Sequence, residues 1–111
     1  MRLNITARRF KLTEDLKLFT EQEIAALKKH HDGILDVEVI LGWEKKERLD
    51  EINIKVEGKV LSSHYRSEDM KKSITLCTDK AERQLKKYKQ RTRDFAHETL
   101  NDRPLADDTE L

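Results

Sequence analysis

The sequence predicts an α+β domain of order β-α-β-β-β-α, a four-stranded mixed sheet with two helices packed on one of its faces. Three observations carry that prediction. Apolar and polar residues alternate over 2–7, 34–43 and 50–58, the period of a half-buried strand. Apolar residues recur at helical spacing over about 14–30 and 68–97. The polar side of each alternating stretch carries charge, so only one sheet face is left for the helices to cover.

In order, RLNITA (2–7) places Leu3, Ile5 and Ala7 on one side and reads as the first strand. Thr13 is an N-cap ahead of Glu14 and Asp15, acids that favour a helix N-terminus, and Leu16, Phe19, Thr20, Ile24 and Leu27 form the apolar face behind it. His-Asp-Gly ends this helix, with Gly33 expected as a left-handed cap. In ILDVEVILGW (34–43), Leu35, Val37, Val39, Leu41 and Trp43 share the inner face. EKKERLD reads as a charged turn into DEINIKVEG (50–58), which points Ile52, Ile54 and Val56 inward. Gly58-Lys59 turns the chain into VLSSHYR, expected as an edge strand. Ser67 is the next N-cap candidate, with Glu68 and Asp69 in the first turn. Behind it Met70, Ile74, Cys77, Ala81, Leu85, Tyr88 and Phe95 form one stripe. The first two strands are parallel if they are neighbours, and strands two to four form an antiparallel meander.

The chain of 111 residues suits one domain, expected over 1–98, with 99–111 as an acidic tail of no fixed structure. At this length a chain buries roughly 60–70% of its unfolded surface, a modest core without a deep cavity. A single cysteine excludes an internal disulfide and fits a reducing compartment; with neither a signal-like apolar run nor a membrane-length one, a cytoplasmic protein is expected. The formal charge of +1 conceals strong polarisation. Residues 1–12 carry +4, 13–79 carry −4, 80–93 carry +6 and 94–111 carry −5.

Catalytic chemistry finds little material. His30, His31, His64 and His97 are scattered without metal-ligand spacing, and Cys77 lies on the apolar stripe as a buried thiol. Three glycines supply no phosphate-cradling motif, and the many acids read as solvated faces rather than paired general acids and bases. The expectation is a binding protein without enzyme activity, cofactor, metal, membrane or small-molecule substrate, and a monomer when free.

What stands out is KAERQLKKYKQRTR (80–93), where Lys80, Arg83, Lys86, Lys87, Lys89, Arg91 and Arg93 accompany one acid, Glu82. A solubilising helix face would pair such cations with acids at i+4, and here only Glu82 and Asp79 are available. The unpaired charge predicts phosphate contacts with nucleic acid. Arg8 and Arg9 join the same patch if the end of the first strand lies near the helix. Tyr65 and Trp43 read as packing residues rather than base-stacking platforms.

Ser67-Glu68-Asp69-Met70 and Asp79-Lys80-Ala81-Glu82-Arg83-Gln84-Leu85-Lys86-Lys87-Tyr88-Lys89 resemble the second-helix signature of the ribosome hibernation promoting factor and ribosome-associated inhibitor A family. The opening LNITARRFKLTEDLK is similar to that family's first strand and helix start, so the resemblance spans about residues 1–93. It implies the same β-α-β-β-β-α fold and binding to the small ribosomal subunit near the decoding region, which silences idle ribosomes. Lys80, Arg83, Lys86, Lys87 and Lys89 match its basic helix positions, implying charge-assisted contacts with ribosomal RNA phosphates. Where the family often continues with Tyr-Ala-Ala-Ile-Asp, this chain has Lys71-Lys72-Ser73-Ile74-Thr75. Because only the acidic tail follows the helix, a short form is implied. The competing expectation is a protein-interaction module whose basic helix docks an acidic partner.

Overall fold

The computed structural model describes residues 2–97, with side chains over 2–91. Its elements are β1 (Arg2–Arg8), α1 (Glu14–His30), β2 (Asp36–Glu44), β3 (Glu47–Val56), β4 (Lys59–Ser67) and α2 (Met70–His97). They form one four-stranded sheet in the order β1-β2-β3-β4. β1 runs parallel to β2, with Leu3 opposite Val37 and Ile5 opposite Val39. The pairs β2–β3 and β3–β4 are antiparallel. This is the predicted α+β fold. Both helices lie on one face, because Ile24 and Leu27 of α1 and Ile74, Cys77, Ala81 and Leu85 of α2 enter a single core with Val37, Val39, Leu41, Ile52, Ile54, Val56 and Leu61. Ile52 and Ile54 are fully buried, each contributing about 1.5–3 kcal/mol by leaving water.

Thr13 caps α1 as expected, its Oγ1 accepting from the Leu16 N–H at 3.2 Å. Four local expectations need correction. Gly33 is not a left-handed cap: the helix ends at His31 in extended backbone (φ −139°), whose N–H bonds the Lys28 carbonyl. The charged turn shrinks to Lys45-Lys46, with Lys45 left-handed (φ 48°). β3 therefore starts at Glu47, and its early charges find partners: the Arg48 guanidinium lies 4.2 Å from the centre of the Trp43 ring, and Glu47 pairs with Arg66 at 3.1 Å. Leu35 is 49% exposed while Ile34 is buried, because the parity of β2 begins only at Asp36. Glu68 and Asp69 precede α2 rather than filling its first turn. Asp69 is the cap: its carbonyl accepts from Ser73 N–H and its Oδ1 from Lys71 N–H, while Ser67 Oγ braces the Asp69 N–H.

The core holds one uncommon group. Asp50 faces inward opposite Leu41 and Tyr65 and is 2% exposed, and neither carboxylate oxygen has a hydrogen-bond partner among the described residues. Burial pushes its carboxyl up to about 7. Cys77 packs nearby, its Sγ 3.6 Å from the Asp50 carbonyl and 3.4 Å from Ser63 Oγ; burial pushes this thiol up to about 12, away from the reactive thiolate.

Candidate nucleic-acid interface

The position of α2 follows from its inward stripe, which packs over β3 and β4 and leaves the opposite side to solvent. A row at i, i+4 and i+8 then fastens it to the sheet margin. Lys80 Nζ donates to the His64 carbonyl at 2.9 Å, Gln84 Nε2 to the Ser62 carbonyl at 2.6 Å and Tyr88 Oη to the Glu57 carbonyl at 3.1 Å. Lys80 is thereby held against β4, its ammonium 5.9 Å from the centre of the Tyr65 ring. Tyr65 packs against the core.

Beyond that row, Arg83, Lys86, Lys87 and Arg91 are exposed and form no ion pair with a described acid. Of the two acids that could have neutralised them, Glu82 turns toward α1. Glu82 Oε2 lies 3.3 Å from Nε2 of His31, which is buried at the end of α1. Burial, with the charge of Asp79 as the lesser cause, raises the Glu23 carboxyl of α1 above its usual range. Lys89 is partly engaged, 4.0 Å from Asp32. Glu82 is thereby drawn to the interhelical seam, while Asp79 is exposed on the outward side and forms no ion pair with a described residue. A polyanion approaching from outside meets positive charge first.

Arg8 and Arg9 are exposed but not alongside this face. They close β1, the strand farthest from β4, at the end of the sheet where α2 begins. Arg93 lies on α2 outside the residues whose side chains are described, as do Phe95 of the apolar stripe and the expected tail at 99–111. Trp43 does not share the inner face as expected: it is 43% exposed at the end of β2, where Phe10 stacks on it at 5.0 Å and the Arg48 guanidinium lies 4.2 Å from its ring.

Strand β4 adds charge at its own edge. Lys59 is exposed at its start, while His64 and Arg66 point to the open sheet face, 3.7 Å from Glu51 and 3.1 Å from Glu47. The signal for His64 and Arg66 is the alternation of KVLSSHYRS, readable only once Leu61, Ser63 and Tyr65 are known to face inward. Among the described residues no cluster of His, Cys, Asp or Glu could hold a metal ion, and no helix is long and apolar enough to cross a membrane.

Three comparisons bear on this geometry. The family model described as Sigma 54 modulation protein / S30EA ribosomal protein matches residues 3–93. The ribosome hibernation promoting factor of Azotobacter vinelandii is 34% identical over 91 residues, 82% of this chain and 85% of that protein. That of Escherichia coli (strain K12) is 34% identical over 89 residues, 80% of this chain and 94% of its own. A ribosomal subunit interface protein from Coxiella burnetii superposes with a TM-score of 0.77 at 27% identity, covering 81% of this chain and 99% of that one.

Proposed function

We propose, from the premise that this chain belongs to the Sigma 54 modulation protein / S30EA ribosomal protein family, that it is a ribosome hibernation factor acting in the cytoplasm. In this reading it binds the small ribosomal subunit through the outward face of α2 and inhibits translation in idle or stressed cells, performing no chemistry of its own. The relatives named as ribosome hibernation promoting factors support the general role. The observation that carries the finer reading is the set of cations, Arg83, Lys86, Lys87 and Arg91, that project from α2 without an ion pair among the described residues, Glu82 being drawn away to His31.

Mechanistically, each outward cation displaces condensed counterions from a phosphate, so affinity comes largely from ion release and recognition from the shape of the folded RNA surface. Lys80 and Lys89 flank that set, Arg93 extends it along the helix, and Lys59 adds a cation at the start of β4. Arg8 and Arg9 form a second point of contact at the far corner of the sheet.

The test is co-sedimentation with isolated small and large ribosomal subunits over a salt series, comparing wild type with Arg83→Glu/Lys87→Glu. Both positions are exposed, so the variant folds normally by circular dichroism. Wild type pellets stoichiometrically with small subunits only. The variant binds about tenfold or more weakly, and its log-log salt slope is shallower by about 1.4–1.8, two phosphates' worth. Wild-type binding by the folded variant, or equal binding to both subunits, overturns the assignment.

A further inference from the structure

The two edges of the sheet are finished differently. On β4, side chains of α2 occupy the carbonyls of Ser62 and His64. β1, the opposite edge, has a neighbouring strand on one side only, and among the described residues no side chain hydrogen-bonds to the backbone of residues 3–8. Its inner face is also incompletely covered. Leu3 and Ile5 stay half-buried, although Val37 and Val39, their ladder neighbours on β2, are 2% and 0% exposed. The gap between β1 and α1 is a groove of about 520 Å³, with Leu3, Ile24 and Ala25 along it and Glu21, Lys28 and Lys29 at its rim. Lys28 and Lys29 are exposed and form no ion pair with a described acid, whereas Arg2, at the same end of β1, is already held by Asp36 at 3.5 Å.

We propose that β1 and this groove receive an extended segment of a partner protein, apolar on one side and acidic at one end, which adds to the sheet as a fifth strand. Three features select that occupant. The free side of an edge strand offers alternating N–H and C=O groups, which another extended polypeptide matches along its whole length. Strand alternation then sends every second side chain of the newcomer over Leu3, Ile5 and the groove, so those residues are apolar. Lys28 and Lys29, at the Leu3 end, favour acids where the segment leaves the groove, and Glu21, about two turns earlier on α1, disfavours them further in. The two surfaces also differ in place: α2 packs over β3 and β4, so its outward face and β1 can be engaged together.

Two competing occupants fit less well. A second copy pairing through β1 brings the strand RLNITAR, which has two arginines and no acid to meet the lysines. RNA sets charged phosphates over an apolar floor and leaves the strand backbone without matching partners.

Residue-resolved amide hydrogen exchange on the full chain tests the proposal. The probes are two end-blocked peptides, Leu-Thr-Leu-Thr-Leu-Thr-Glu-Glu and its reverse, which carry acids to the lysine end of an antiparallel or a parallel strand. A saturating amount of one of them slows the β1 amides that face away from β2 by about tenfold or more and leaves those of β3 unchanged. Lys28→Glu/Lys29→Glu, at two exposed positions that keep the fold, weakens binding of that peptide about fivefold or more. Failure of both peptides to protect β1 overturns the proposal, as does equal binding of a peptide with Lys-Lys in place of Glu-Glu. So does β1 protection already present without peptide: constant with protein concentration it marks cover by the chain itself, and rising with it a second copy. Protection confined to 83–91, or β1 protection by a single-stranded RNA oligonucleotide in place of the peptides, overturns it equally.

Discussion

Replacing Asp50 by asparagine isolates the electrostatic consequence of a carboxylate enclosed in an apolar core. In the unfolded chain this carboxyl keeps the ordinary aspartate value of 3.8, and in the folded protein burial pushes it up to about 7. Below about pH 4 both states hold the proton and the group leaves stability unchanged with pH. Between those values the unfolded chain releases its proton while the folded chain retains it, so rising pH favours unfolding by up to about 1.4 kcal/mol per pH unit. Above about pH 7 both states are ionised and the loss is complete, about 4 kcal/mol in total. The Asp50→Asn side chain keeps the shape without the titration. Urea unfolding of both proteins at intervals from about pH 4 to about pH 8, with equal m-values, gives the difference curve. Groups common to both proteins, Glu23 among them, cancel. The wild-type-minus-variant stability falls steadily across that window and then levels. A flat or rising difference refutes the assignment of an ionisable, unpartnered carboxyl to this position.

Two further measurements probe the same core and its margin. Cys77, fully buried and held as the thiol, is expected to resist thiol-specific labelling in the native protein and to react at the rate of global unfolding; fast stoichiometric native labelling contradicts its placement. Gln84→Ala removes the 2.6 Å bond to the Ser62 carbonyl and is expected to lower stability by about 1 kcal/mol in urea titration, and an unchanged midpoint at equal m-value removes that bond from the account.

Periodicity made most of the fold legible. The strand cores and both apolar helix faces follow from residues that must share a side, and Leu3, Ile5, Val37, Val39, Ile52 and Ile54 stand in adjacent registers as that pattern demands. Less legible was whatever depends on an end or on a distant neighbour. Nothing local in EKKERLD says that Arg48 will lie over Trp43 and draw Glu47 into the strand, or that Lys45 will take the left-handed turn residue. Inward parity from Ile52 does place Asp50 in the core, but its charge argues for the surface, and the conflict is settled only by the ladder. At the basic helix the cations were readable as composition. That Glu82 would turn away from them could not be read, because His31, the residue it meets, lies 51 positions earlier.

The fastening row of Lys80, Gln84 and Tyr88 bears on how the helix meets a large surface. A cylinder resting on a sheet through apolar side chains alone has a shallow torsional minimum about its own axis. Three polar anchors spaced along two turns deepen that minimum and set the azimuth of every outward residue relative to the strands. On contact with a rigid relief of phosphates, the angular phase between Arg83, Lys87 and Arg91 is thus already given, and only their terminal rotamers remain to be selected.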